Sequence, residues 1–196
     1  MNILFLTDSK AANKEAVFEI LASHKDKVLV YHKEVTLDFL KKQKIDFIFS
    51  DRYSYILEER LLKFVYGRAV NVHPSLLPYN RGVQPLFFSI LNQTKTGVSF
   101  HLMTKKLDQG GIIAQQEIKV FEDDTLRTLY LRSRNTILYL LSNHWPEIRT
   151  QKIQINQQKE VLPINFQSTF DRIFKKLPRG WDSSVSDIKN LSKTNY

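Results

Sequence analysis

The sequence predicts an α/β fold of the doubly wound type, in which helices cover both faces of a mostly parallel sheet. Two observations predict it. Short apolar runs alternate with segments of helical periodicity over the first half of the chain. The runs are also apolar at nearly every position, as expected for strands that are buried on both faces of a sheet. A chain of 196 residues, 42% of them apolar, can bury such a core.

The first half of the chain supplies four strands and three helices. Apolar residues at helical spacing predict helices over residues 13–23, over residues 37–43 and over a stretch that includes Leu57, Leu61 and Leu62. The apolar runs between them predict strands at residues 2–6, 28–31, 46–50 and 69–72.

The second half of the chain departs from this alternation. A helix over residues 84–91 precedes a predicted strand pair, 98–103 and 112–118. The long helix that follows is expected to be capped by Asp123 or Asp124 and to end at Pro146.

The last residues change character and predict a small appendage. Residues 153–155 and 161–162 are strand candidates, and apolar residues recur at helical spacing from Phe166 to Leu177. We therefore expect two units: a core over residues 1–150 and an appendage over residues 151–196.

The composition excludes several classes of protein. The chain has no cysteine, which rules out disulfides and thiolate catalysis. Neither a signal peptide nor an apolar run of the ~20 residues that span a membrane is found. No G-x-G-x-x-G or Walker loop follows the first strand, so no dinucleotide cofactor is expected. These features predict a cytoplasmic protein without a membrane partner.

The net charge of +9 raises the question of a nucleic-acid partner. The excess is spread evenly, because residues 1–100 hold 14 basic and 10 acidic residues and residues 101–196 hold 15 and 10. Without a basic tail or stripe, we expect no nucleic-acid partner. A solvated cationic surface, or attraction of an anionic small substrate, accounts for the charge.

Three polar residues lie where the predicted strands end. Asn71 and His73 stand two residues apart on one strand and therefore project to the same face. Asp108 lies in the loop of the strand pair, just ahead of Gly110 and Gly111. An amide, an imidazole and a carboxylate are the groups that an acyl-transfer site requires. A purely structural histidine is the simpler alternative. No metal is expected, since only His73 and Asp108 are natural ligands.

Several motifs together resemble the formyltransferases that use N10-formyltetrahydrofolate. They are Asn71-x-His73-Pro74-Ser75-Leu76-Leu77-Pro78, Arg81-Gly82, Thr96-Gly97-Val98, His101, and Leu107-Asp108-x-Gly110-x-Ile112-Ile113-x-Gln115. The resemblance implies a catalytic set of Asn71, His73 and Asp108. It leaves open whether His101 supports them or is structural. It also places the folate beside the loop Tyr53, Ser54, Tyr55, Ile56 and Leu57.

The resemblance leaves three substrate branches. A transfer-RNA formyltransferase is disfavoured because only 46 residues follow the long helix, and the phosphoribosylglycinamide enzyme of purine synthesis typically opens with a glycine-rich loop that is absent here. Residues 78–85 and 125–130 look most like the branch that formylates nucleotide-linked amino sugars for surface polysaccharides (O-antigen). The resemblance implies dTDP-4-amino-4,6-dideoxyglucose as acceptor.

Within that branch, Asn80, Arg81 and Gln84 are the candidate substrate contacts, although Arg81 could equally form an internal salt bridge. Trp181 could stack on the base or pack in the core. A homodimer is expected by the same resemblance. A non-enzymatic, RNA-associated protein that kept the fold is the alternative.

Overall fold

The computed structural model describes residues 1–192 and contains a six-stranded sheet in the order β2-β1-β3-β4-β6-β7, with a separate pair β5-β8. The strands are β1 Asn2–Thr7, β2 Lys27–Tyr31, β3 Phe47–Asp51, β4 Ala69–His73, β5 Arg81–Gly82, β6 Gly97–Leu102, β7 Ile112–Glu117 and β8 Ile164–Asn165. The helices are α1 Lys14–Ala22, α2 Leu37–Lys42, α3 Glu59–Phe64, α4 Pro85–Leu91, α5 Leu126–Arg149, α6 Gln167–Phe174 and α7 Val185–Ser192, with a 3-10 helix at Gly180–Asp182.

The first four strands of the sheet are parallel and carry apolar side chains on both faces. In β1, Ile3 and Phe5 point to the face covered by α1 and α5, and Leu4 and Leu6 point to the face covered by α2 and α3. Continuous apolar strands are therefore required, because each face has its own helical layer. The structure confirms the predicted fold class.

The predicted strand pair is present and turns the sheet antiparallel at one edge. β6 runs antiparallel to β4 and pairs with β7, with an irregularity between Phe100 and His101. The register sets Asn71 opposite His101 and His73 opposite Ser99. The carboxyl end of β4 is thus next to the loop that joins β6 to β7.

Helix α5 differs from the prediction at both ends. Its N-cap is Thr125, which forms a reciprocal capping box with Thr128. Asp124 instead accepts hydrogen bonds from Phe121 N–H and the Arg132 guanidinium, so its carboxylate is not available as a cap. Pro146 lies inside the helix rather than at its end.

The last turn of α5 continues past Pro146 because its apolar side is held in the core. Trp145 and Ile148 are both buried there, and Trp145 packs edge-on against Phe47. That packing outweighs the single backbone hydrogen bond that a proline removes. None of the helices within residues 1–192 has the length and apolar character needed to cross a bilayer.

The segment after α5 packs against the main unit. Residues 153–155 and 161–162 are not strands, and the strand found there is β8, which pairs with β5. The apolar stripe from Phe166 does form α6. Phe170 and Ile173 of α6 share one apolar cluster with α4, α7 and the start of α5.

Candidate active site

Asn71 and His73 project from β4 into a cavity of about 760 Å³ at the carboxyl end of the parallel strands. His73 is buried, whereas Asn71 is half-buried. Strand alternation gives both side chains the same direction, as predicted. The place is the usual one for ligands in open α/β sheets, just beyond the carboxyl ends of the strands.

The loop between β6 and β7 brings Asp108 to the same cavity. One carboxylate oxygen, Oδ2, lies 3.7 Å from His73 Nδ1 and accepts a hydrogen bond of 2.9 Å from the Gly82 N–H. The other, Oδ1, lies 3.5 Å from His101 Nε2. The structure therefore brings together the amide, the imidazole and the carboxylate that were singled out in the sequence.

A backbone carbonyl fixes the proton on His73. Its Nε2 lies 3.0 Å from the Asn80 carbonyl oxygen, which can only accept, so Nε2 carries the hydrogen. Nδ1 is then the acceptor of the neutral ring, on the side of Asp108. Burial lowers the pKa of His73 below its usual value, and the attraction of Asp108 offsets this only in part. The ring is thus a neutral base next to a carboxylate.

His101 connects Asn71 with Asp108, a role that the sequence left open. Its Nδ1 lies 2.8 Å from the Leu102 carbonyl oxygen and therefore carries the hydrogen. Nε2 can then accept from the Asn71 amide group, 3.1 Å away. That bond uses one of the two Asn71 N–H donors and leaves the other for a ligand in the cavity. The Asn71–His101 register across β4 and β6 produces this contact.

Asp108 is held in its charged form. Burial raises the pKa of its carboxyl group, but attraction to the His73 and His101 rings in their protonated forms and the hydrogen bond from the Gly82 N–H outweigh burial and set that pKa below the usual value. A buried, ionised carboxylate beside a neutral imidazole can stabilise a proton that arrives on the ring.

All five predicted cofactor residues line the cavity as one loop after β3. The loop comprises Tyr53, Ser54, Tyr55, Ile56 and Leu57. The rings of Tyr53 and Tyr55 are 5.4 Å apart, Ile56 is 77% exposed and Leu57 is buried. Burial raises the pKa of Tyr53 to about 12, and its hydroxyl donates to the Lys33 carbonyl. The loop offers an apolar surface of the kind that binds a flat heterocycle.

The three predicted substrate residues do not lie together in the cavity. Gln84, just before α4, lines it. Arg81 is buried and donates to the carbonyl oxygens of Leu107 and Leu162. Its partners are backbone carbonyls and not a carboxylate, so the expected internal salt bridge is not formed, and Arg81 is not among the residues that line the cavity. Asn80 is also buried, and its side chain bonds to Ser89, Thr94 and Asn92.

The cavity lining also contains Arg52, which the sequence did not single out as a contact, and Trp181, which it named as a candidate to stack on the base. Arg52 stacks over the ring of Tyr130 at 5.5 Å, donates to its hydroxyl at 2.9 Å and lies 3.5 Å from Asp8. Trp181, from the segment after α5, packs 6.1 Å from Tyr130 and also lines the cavity. Arg52 comes directly before the predicted cofactor loop, and this position is the only feature of the sequence that points to a role for Arg52 in the site.

No group of three or more His, Cys, Asp or Glu side chains within residues 1–192 is arranged to hold a metal ion.

A family model described as formyl transferase matches residues 6–141. The chain belongs to this family. Asn71, His73 and Asp108 all lie inside the matched range, whereas the segment after α5 lies outside it. The six-stranded sheet and its helices are thus the formyltransferase fold.

Curated relatives of this formyltransferase family match part of the chain. The bifunctional polymyxin resistance protein ArnA of Wigglesworthia glossinidia brevipalpis is 38% identical over 139 residues, which cover 68% of this chain and 20% of ArnA. The dTDP-4-amino-4,6-dideoxyglucose formyltransferase of Mycobacterium tuberculosis is 34% identical over 106 residues, 54% of this chain and 45% of that protein. The chain thus spans less than half the length of these two relatives.

One solved formyltransferase matches nearly the whole chain. PseJ of Anoxybacillus kamchatkensis has a TM-score of 0.90 and 31% sequence identity, and the match covers 98% of this chain and 100% of that one. The PseJ crystal holds tetrahydrofolate and UDP-4,6-dideoxy-4-formamido-L-AltNAc. The match includes the segment after α5, which the family model leaves out.

Proposed function

We propose that the protein transfers the formyl group of N10-formyltetrahydrofolate to the amino group of a nucleotide-linked 4-amino-4,6-dideoxyhexose. The observation that carries the proposal is the convergence of Asn71, His73 and Asp108, with His73 Nδ1 3.7 Å from the Asp108 carboxylate, in a cavity of about 760 Å³. A cavity of this size is typical of small-molecule sites.

The first step is attack of the uncharged sugar amine on the formyl carbon. The carbonyl oxygen becomes an oxyanion, and the Asn71 N–H that His101 leaves free donates to it. The attacking nitrogen loses a proton to His73 Nδ1, where the ionised Asp108 stabilises the imidazolium.

In the second step His73 passes this proton on to the folate. The imidazolium of His73 gives its proton to N10 of the folate as the bond between N10 and the formyl carbon breaks. A C–N bond to the sugar has formed, a C–N bond to the folate has broken, and the amine proton has moved to N10. Both histidines and Asp108 end in their starting forms.

Two parts of the cavity lining suit the two substrates. The loop from Tyr53 to Leu57 offers the folate an aromatic and aliphatic surface. Arg52 and Trp181, which also line the cavity, offer a cation and an indole. A guanidinium suits a diphosphate and an aromatic ring suits a nucleotide base. Gln84 remains a candidate contact to the sugar, while Asn80 and Arg81 are proposed to support that part of the lining from behind.

The relatives support the same class of acceptor with two different nucleotides. The mycobacterial relative is named for a dTDP-linked 4-amino-4,6-dideoxyglucose, and PseJ holds a UDP-linked 4-formamido sugar. We carry dTDP-4-amino-4,6-dideoxyglucose as the first acceptor to test and the UDP-linked sugar as the second. The product would enter surface polysaccharide synthesis. The homodimer and the cytoplasmic location stay predictions.

The deciding experiment offers purified protein N10-formyltetrahydrofolate with each acceptor in turn. The acceptors are the dTDP- and UDP-linked 4-amino sugars and phosphoribosylglycinamide, and product is detected by mass spectrometry. We expect a formamido sugar nucleotide, which Asn71→Ala reduces by orders of magnitude. Formylation of phosphoribosylglycinamide alone would move the protein to the purine branch. Transfer to none of them would refute the proposal and favour the RNA-associated alternative.

A further inference from the structure

Residues 155–165 form a segment outside the family match that lies against the backbone near Asp108. We call this segment the strap. At its start Asn156 exchanges two backbone hydrogen bonds with Ile112, of 2.7 and 2.9 Å. At its end it forms β8, which pairs with β5. The strap is mostly exposed, yet both of its ends are bound to backbone near Asp108: one to Ile112 at the start of β7, the other to β5, whose Gly82 donates to Asp108.

Two glycines allow this close approach. A Cβ atom at Gly111 would lie 2.4 Å from Ile155 Cγ2, and one at Gly82 would lie 2.4 Å from the Asn165 carbonyl oxygen. Gly82 also has a φ of 91° and donates its N–H to Asp108. The strap and the Asp108 contacts are therefore built on the same backbone.

The Gln158 side chain of the strap turns towards Asp108. It is half-buried, whereas the neighbouring Gln157 and Lys159 are exposed. Its amide nitrogen donates to the carbonyl oxygens of Asp108 at 2.9 Å and Gly110 at 2.8 Å, so both N–H groups are used.

The backbone at Asp108 needs such support. Its φ of 55° lies in the left-handed region. A residue with a side chain adopts this conformation at a cost in free energy and keeps it where its surroundings impose it. The two bonds from Gln158 hold the carbonyl groups of Asp108 and Gly110, which directly follow this conformation in the chain.

We propose that Gln158 is a positioning residue, which keeps the Asp108 carboxylate against His73 and His101. The proposal rests on the proposed function for the claim that this placement serves catalysis. It assigns to the segment after α5 a part in the reaction that the family match, ending at residue 141, does not cover.

The first test needs no substrate. The ring of His73 is titrated by NMR in the full-length protein; the charged or titratable groups that face it are Asp108, His101 and Arg81. Asp108→Asn removes the attraction that raises the pKa of His73, so that pKa should fall. Gln158→Met keeps the length of the side chain and removes both N–H donors, and it should also lower the pKa of His73. Gln158→Asn, whose amide reaches less far, should lower that pKa as well.

The matched control is Gln154→Met, at an exposed glutamine just before the strap. It should leave the His73 titration unchanged. An unchanged titration in both folded Gln158 variants, with a clear shift in Asp108→Asn, would overturn the proposal. If Gln158→Met does not fold, Gln158→Asn decides by the same criterion.

The second test is kinetic. Gln158→Met should lower kcat about 10- to 100-fold, the loss expected for a misplacement near 1 Å, with KM for both substrates within about twofold. On an Asp108→Asn background the same change should cost nothing further, because Gln158 acts through Asp108. A change in KM alone, or full additivity, would overturn the proposal. If the wild-type protein formylates no acceptor, the proposed function fails, and the His73 titration still decides the role of Gln158.

Discussion

The ion pair between Asp51 and Arg134 is expected to be a major determinant of stability beneath the cavity. Asp51 ends β3 and Arg134 lies in α5, and their side chains are 2% and 3% exposed. The guanidinium donates to both carboxylate oxygens, at 2.8 and 2.6 Å, and twice to the Ala12 carbonyl. The pair therefore joins β3, α5 and the loop after β1.

We expect Arg134→Met to lower the free energy of unfolding by about 3–5 kcal/mol, because it leaves a buried carboxylate without its partner. For a chain of this size the midpoint of thermal unfolding should fall by about 6–20 °C. Urea denaturation, followed by circular dichroism, measures the first quantity and a thermal scan the second. In Asp51→Asn/Arg134→Met the loss should be smaller than in Arg134→Met, since no charge remains to be buried.

Arg127→Met is the matched control on the same helix. Arg127 forms a bidentate pair with Asp182, but both side chains are 57% exposed. Exposed pairs contribute little to stability, so the free energy of unfolding of this variant should stay close to that of the wild-type protein. Equal losses in Arg127→Met and Arg134→Met, or a loss below about 1 kcal/mol in Arg134→Met, would refute the reasoning from burial.

The remaining predictions concern the reaction. Asn71→Ala should lower kcat about 10²- to 10³-fold in steady-state assays, since it removes the oxyanion donor; a loss below about tenfold argues against that role. The kcat/KM of the wild-type protein should fall at acid pH with an apparent pKa below the usual histidine value of about 6.5, as His73 becomes protonated. In Asp108→Asn the acid limb of the residual activity should move to lower pH, and an unmoved limb would assign it to the sugar amine. Trp181→Ala should raise KM for the nucleotide sugar about tenfold and leave KM for the folate unchanged. The reverse pattern would mean that Trp181 lies in the folate site and not in the nucleotide-sugar site.

Local patterns in the sequence were sufficient for the parallel half of the fold. The apolar runs of β1 and β3 and the helical spacing in α1 are dictated by burial on both faces of each strand, which a short stretch of sequence records. The predictions that were wrong concern positions whose structure is decided by a contact with a residue farther along the chain. Pro146 stays inside α5 because the neighbouring Trp145 packs on Phe47, some hundred positions away in the sequence. Asp124 does not cap α5 because Arg132 binds its carboxylate.

The candidate site shows the same division. Strand alternation places Asn71 and His73 together, and the glycines after Asp108 indicate a loop, so these three could be named from sequence. The position of His101 opposite Asn71 depends on β6 running antiparallel to β4, which no local pattern specifies. Arg81 has the chemistry of an anion ligand, and only the fold directs its guanidinium to the Leu107 and Leu162 carbonyls.

The tautomers of the two histidines give the site a single direction for proton movement. Each ring has one nitrogen against a backbone carbonyl, Nε2 of His73 and Nδ1 of His101, so each keeps its hydrogen there. The lone pair of each ring lies near an oxygen of the ionised Asp108, and that of His101 also accepts a hydrogen bond from Asn71. Of these two rings, only His73 can therefore accept a proton without losing an existing hydrogen bond. For an amine on the cavity side of Asn71, the base and the donor to the formyl oxyanion lie on the same face of β4. They share that face because Asn71 and His73 are two residues apart in the sequence.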